Sequence, residues 1–117
     1  MPVASEQADN VSVIEVHERE IDASNSEAVK GQLRDKLEPE SNAVIDLSRV
    51  EFLDSSGIGV LISCMRYLAS NGGAMKLCNV TKPAEAILEL VRFHRIADIY
   101  ENREEAIRAF HEESKDL

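Results

Sequence analysis

The chain has 117 residues, 44% hydrophobic and 30% charged, and its 13 Lys and Arg against 22 Asp and Glu give a formal net charge of −9. That length supports one hydrophobic core but not two, and the composition is that of a folded domain, not a disordered chain. The negative charge argues against nucleic acid and anionic membrane surfaces, both of which need a basic face, and leaves a soluble partner with a basic patch.

Residues 3–7, ahead of the Asp9-Asn10 turn signal, read as a short first strand of a hairpin. Residues 11–17, with Val11, Val13, Ile14 and Val16, read as its second. Ser24, Asn25 and Ser26 compete as N-caps, and Ser24 with Glu27 fits a capping box. Val29, Leu33 and Leu37 follow at helical spacing until Pro39 ends the helix. Ala43 to Leu47 is an apolar run suited to a buried parallel strand, interrupted by Asp46. Residues 48–54 connect to a second helix whose stripe is Ile58, Leu61, Ile62, Met65, Leu68 and Ala69, stopped by Asn71-Gly72-Gly73. Met65, Tyr67 and Leu68 read as packing residues.

Met75, Leu77 and, at the far end, Asn79 alternate as a third core strand. Pro83, after Thr81 and Lys82, stands where a helix can begin, with Ala86, Ile87, Leu90 and Val91 expected on its buried face. Ile96, Ile99 and Tyr100 suggest a last short strand. Asn102 and Glu105 can cap a final helix carrying Ala106, Ile107 and Phe110, fraying from about Glu112 over a tail at 112–117. The order ββαβαβαβα predicts the α/β class: one domain over residues 1–117 with its core at about 3–110. A four- to five-stranded, mostly parallel sheet with an antiparallel first strand and about four helices is expected.

Aromatics are 4% with no Trp, so an aliphatic core is expected. Cys64 and Cys78 have no metal-ligand or redox spacing and read as buried free thiols in a reducing cytoplasm. No signal segment is visible in residues 1–10, and the run Ile58–Ile62 is too short to span a bilayer. Residues 1–60 hold 5 basic and 13 acidic residues, and residues 61–117 hold 8 and 9, so the excess acid lies in the first half.

The informative stretch is Val44–Gly59, V-I-D-L-S-R-V-E-F-L-D-S-S-G-I-G, running from a buried strand through a loop to a helix start. Functional groups of open α/β sheets gather at the carboxyl ends of the strands, where Asp46, Asp54, Ser55 and Ser56 would lie. Ser55 at the first turn can cap the helix, or it can be a site where a phosphate meets free N–H groups. Gly57 and Gly59 cost the helix roughly 1 kcal/mol each relative to Ala, and would leave a flat surface for a partner's close approach. A Ser hydrolase is disfavoured, because the G-x-S-x-G elbow is absent and His17, His94 and His111 have no motif context.

The string Asp46 to Leu61, D-L-S-R-V-E-F-L-D-S-S-G-I-G-V-L, resembles the signature of the anti-sigma factor antagonist family, the STAS domain. E-I-D at Glu20–Asp22, the run Ser24–Ser26, N-G-G at Asn71–Gly73, Pro83 and the element order also match, over about residues 3–110. The resemblance implies a cytoplasmic phospho-switch without cofactor, metal or catalytic machinery; a monomer is expected, with the oligomeric state not read from the sequence. Unphosphorylated, such a protein binds a serine kinase that doubles as an anti-sigma factor. That kinase uses ATP to phosphorylate the first Ser after the motif Asp, here Ser55, and release follows. A metal-dependent serine phosphatase restores the ligand form.

Asp22, Ser24, Asn25, Asp46, Asp54, Ser56, Gly57, Ile58 and Gly59 would form the partner surface. Other readings are a STAS scaffold or regulatory subunit in lipid transport, signalling or secretion control. Glu18, Glu20 and Asp22 otherwise read as a solvated face, or as a weak metal candidate. The acids at 101–105 and 112–116 read as a solvated C-terminus. Arg19 and Arg95 stand where many family members carry Gly.

Overall fold

The computed structural model describes residues 3–8, 10–39 and 41–115. Val3–Ala8 (β1) and Val11–Val16 (β2) form an antiparallel hairpin with Ala8 opposite Val11. Asn10 has φ 68°, the left-handed backbone that two-residue hairpin turns use and Asn tolerates; Asp9 lies outside the described residues. The chain then runs through β3 (Glu20–Ile21), α1 (Ser26–Lys36), β4 (Asn42–Asp46), β5 (Phe52–Leu53), α2 (Ser55–Ser70), β6 (Met75–Cys78) and α3 (Lys82–Leu90). A 3₁₀ turn at Phe93–Arg95, β7 (Asp98–Tyr100) and α4 (Arg103–Lys115) complete it. The main sheet has the order β1-β2-β4-β6-β7, with β2, β4, β6 and β7 mutually parallel.

Both faces of the sheet are covered, so the strands are buried on alternate and on intervening residues. Ile14, Val16, Ala43, Ile45, Met75 and Leu77 belong to the larger core with Val29 and Leu33 of α1, Leu61 and Leu68 of α2, and Leu88 of α3. Val11, Val13, Val44 and Cys78 form a smaller core with Ala106 and Phe110 of α4. The core is largely aliphatic, with Phe93 and Phe110 as its buried aromatics. The thiols of Cys64 and Cys78 are free and lie in different cores. Burial pushes the first up to about 11 and the second up to about 12, the latter helped by the Asp46 charge. Neither thiol should react with an aromatic disulfide reagent in the native protein; both should after denaturation, and fast native labelling would contradict this burial.

Several details differ from the sequence-based expectation. Residues 48–54 are not a plain connection: they contain β5, which pairs parallel with β3 in a separate two-stranded sheet. The Ser24–Glu27 capping box does not form. Asn25 is the N-cap residue of α1 without a side-chain cap bond; its amide instead donates to Glu20 O and accepts from Asp22 N–H. α3 buries Ala84 and Leu88, with Ile87 half-buried, whereas Leu90 and Val91 are exposed. Its first turn is oriented by Thr81, whose hydroxyl donates to Val50 O and accepts from Ala84 N–H. The left-handed residue after α3 is Arg92, at φ 55°, not Arg95. Arg19 is exposed and paired with Glu51, so this position tolerates a side chain. α4 stays helical through Lys115, with residues 116–117 outside the described ones, and Glu113 is not merely solvated but bonds Lys76. Among the described residues no helix is long and apolar enough to cross a membrane.

Candidate partner-binding site at the α2 N-terminus

The small β3–β5 sheet brings two loops together. Arg19 O accepts from the N–H of Glu51 and Phe52, and Ile21 O accepts from Asp54 N–H. Asp54 is the N-cap of α2: Oδ1 accepts from Gly57 N–H at 3.0 Å, and Oδ2 accepts from Ala23 N–H at 3.2 Å. One carboxylate therefore satisfies an orphan helix donor and ties the 22–25 loop to the helix start. Asp54→Ala should cost about 1–2 kcal/mol, read by urea denaturation; an unchanged midpoint would show that the clamp holds nothing.

With Asp54 in the capping role, Ser55 is released from it. Ser55 is exposed at the first position of α2, and its hydroxyl bonds no described residue. Ser56 is half-buried. Across from them, Asp22 accepts from Ser24 N–H at 2.9 Å and from the Ser24 hydroxyl at 2.5 Å. The Ser24 hydroxyl and N–H lower the Asp22 carboxyl below the usual carboxylate range. The loop is thus pre-shaped by its own polar side chains, with Asn25 bonded at both ends of its amide.

The structure gathers Asp22, Ser24, Asn25, Asp54, Ser55, Ser56, half-buried Ile58 and exposed Gly59 at one edge. It does not bring two of the predicted partner residues to that surface. Gly57 is buried, and a Cβ there would lie 2.2 Å from Ile21 O, so its lack of a side chain serves the approach of β3 to α2. Asp46 is 2% exposed and faces α4. It accepts from Arg103 Nε at 2.6 Å, Asn79 Nδ2 at 3.0 Å and Ser48 N–H at 2.9 Å. Burial pushes this carboxyl up, but Arg103, Ser48 and Asn79 outweigh it and the net shift is downward.

Glu15, directly opposite Asp46 across the β2–β4 ladder, accepts from Arg103 Nη2 at 2.8 Å. His17 bonds Glu15. Among the described residues no cluster of three or more His, Cys, Asp and Glu is arranged to hold a metal. One candidate was missed from sequence: Phe52, 45% exposed on β5 beside Leu53 and Asp54. An aromatic in a presumed loop was the available signal.

Comparison with known proteins places these features in a family. The STAS domain matches residues 2–106. The anti-sigma F factor antagonist of Paenibacillus polymyxa is 29% identical over 90 residues, covering 75% of this chain and 77% of that protein. The structure of an anti-sigma factor antagonist from Mycobacterium paratuberculosis superposes with TM-score 0.79 at 28% identity, covering 92% and 91% of the two chains. The Bacillus cell fate determinant SpoIIAA in its phosphorylated form has the same fold, with TM-score 0.62 at 20% identity over 92% and 98%. The parallel sheet with its antiparallel first strand, the D-S-S-G turn that opens α2 and these matches together lead to one assignment: the chain belongs to the STAS domain family.

Proposed function

We propose that this protein is an anti-sigma factor antagonist that works as a partner-switching ligand in the cytoplasm. Unphosphorylated, it binds an anti-sigma factor that is also a serine kinase; that kinase phosphorylates Ser55 with ATP, and the phosphorylated form is released until a serine phosphatase restores it. The observation that carries this reading is Ser55 itself: an exposed hydroxyl at a helix N-terminus, unused by the fold because Asp54 caps the helix. The names of the relatives support the role, and the phosphorylated form of the Bacillus protein supports the chemistry on this fold. The chain acts as substrate and ligand rather than as catalyst.

The switch is electrostatic and local. Phosphorylation adds about −1.5 to −2 charges at pH 7. The α2 dipole and its free N–H groups tolerate that charge in the free domain. In a docked complex the same dianion beside Asp54 is desolvated against a partner, and each ~1.4 kcal/mol of cost is a tenfold loss in affinity.

Intact-mass spectrometry after incubation with ATP and candidate serine kinases tests the assignment. One added phosphate is expected, absent in Ser55→Ala, whose thermal stability should match the parent within ~0.5 kcal/mol because the Ser55 hydroxyl bonds no described residue. Phosphate on Ser56 would move the site; no phosphate with any kinase that binds the protein would remove the switch. Amide spectra should change only around α2 and the 22–25 loop, and a global change would overturn the local mechanism.

A further inference from the structure

Below Ser55, α2 presents one continuous face. Ser55, Gly59, Ile62, Ser63, Arg66 and Ser70 recur at helical spacing, so Arg66 lies about 16 Å from Ser55 along the axis. From Gly59 to Ser70, beginning one turn beyond Ser55, this face lines an open groove between α1 and α2, together with Arg34 of α1 and Tyr67. The Arg34 guanidinium sits 4.3 Å from the centre of the Tyr67 ring, which holds it at the groove wall. Gly59 has nothing within 4 Å of where a Cβ would stand, so the upper end of the groove is open.

The charge of this groove is opposite to that of the chain. No lining residue is Asp or Glu. Five cations elsewhere are matched: Arg19 with Glu51, Lys30 with Glu27, Arg49 with Glu15, Lys76 with Asp98 and Glu113, and Arg103 with Asp46 and Glu15; Lys36, Lys82, Arg92, Arg95 and Arg108 form no ion pair with a described residue but do not line this groove. Arg34 and Arg66 have no carboxylate partner among the described residues. Two unmatched guanidiniums over an Ile62 floor, in a chain of net charge −9, complement an acidic peptide segment with an apolar residue.

We infer that the α1–α2 groove docks an acidic segment of the protein partner, as an extension of the Ser55 surface. Its mode of release rests on the phospho-switch reading: a phosphate on Ser55 heads the same helix face and repels the acidic segment. Two guanidiniums on an acidic domain are too few for a polyanion such as nucleic acid or an anionic bilayer.

The test is a titration, followed by amide NMR at low salt, of a 12-residue peptide of alternating Glu and Leu, with its Lys-for-Glu counterpart as control. Shifts are expected at Gly59, Ile62, Ser63, Arg66, Tyr67 and Ser70 with the acidic peptide only. Binding should weaken at least about tenfold in Arg34→Glu/Arg66→Glu and about threefold in Ser55→Asp, and should fall as salt rises. The exposed double variant should keep its thermal melt; if it does not, Arg66→Gln alone gives the same reading with smaller amplitude. Shifts that are absent, lie elsewhere, survive charge reversal, or arise with anionic vesicles and not with the peptide would overturn the inference. Groove binding without any phosphorylation of Ser55 would retain this inference and remove the phospho-switch; phosphorylation without groove binding would do the reverse.

Discussion

Arg103→Ala is expected to destabilise the fold by about 3 kcal/mol. The guanidinium joins two carboxylates that face each other across the β2–β4 ladder, Asp46 and Glu15. Like charges opposite one another on a sheet repel, and Asp46 is 2% exposed, so removal of the cation leaves a buried charge held by the neutral groups of Asn79 and Ser48. The expected value lies at the low end of the range for broken buried pairs because the Arg103 side chain is 33% exposed and water can enter the vacated position.

The pH dependence follows from the downward shift of Asp46. A carboxyl lowered in the folded state contributes stability that is complete above its unfolded value, about pH 4, and is lost as pH falls through the lower folded value. The gap between parent and Arg103→Ala should be full at pH 7 and should narrow below about pH 4. Urea titrations of both proteins at pH 7, 5 and 3 check this, and a gap constant with pH would show that Arg103 acts through packing alone. Asp46→Asn in the Arg103→Ala background should recover part of the loss, as coupled neighbours do.

The second large effect separates two glycines that lie two residues apart. In Gly57→Ala the new methyl would stand 2.2 Å from Ile21 O, a backbone atom that moves only if β3 moves. A loss of about 3 kcal/mol is expected, together with loosening of the Asp22–Asn25 loop and of the Asp54 clamp, and hence of partner binding. Gly59→Ala meets nothing within 4 Å and has no left-handed backbone. It should stabilise α2 by about 0.5–1 kcal/mol. Paired thermal melts decide the matter: equal effects at the two positions would mean that β3 does not depend on close approach to α2.

Much of this was legible beforehand because it is local. Thr81 before Lys82-Pro83, Asn102 three residues before Glu105, and Asn71-Gly72 after α2 announced helix ends, and the caps and the positive φ of Gly72 are there. The capping box at Ser24 failed because Asp22 holds Ser24 by both its hydroxyl and its N–H, leaving Asn25 as the N-cap. α3 was turned to the wrong side because its apolar residues offer two overlapping stripes, and the tether from Thr81 to Val50 selects the one through Ala84 and Leu88. β3 and β5 escaped notice because a two-residue strand has no period to read.

The acidic first half also reads differently in three dimensions. Glu15, Glu27, Asp46 and Glu51 are matched by cations, and Asp22 and Asp54 are engaged in turn and cap. The expected acidic face is therefore partly internal wiring, and along α2 from Gly59 runs a groove carrying two arginines with no carboxylate partner among the described residues.

The sequence alone determined the order of the helices and of the main-sheet strands, the α/β class and the placing of Ser55 at a helix start, since periodicity, turn residues and the D-S-S-G string act over a few neighbours. Only the tertiary structure decided that Asp46 points under α4, that Gly57 is required by Ile21, and that Asp54 caps the helix and leaves Ser55 free. The physical reason is that a doubly covered sheet buries both of its faces. Alternation alone then cannot say which face a strand residue takes, and the approach of two backbones distant in sequence leaves no mark on the residues between them.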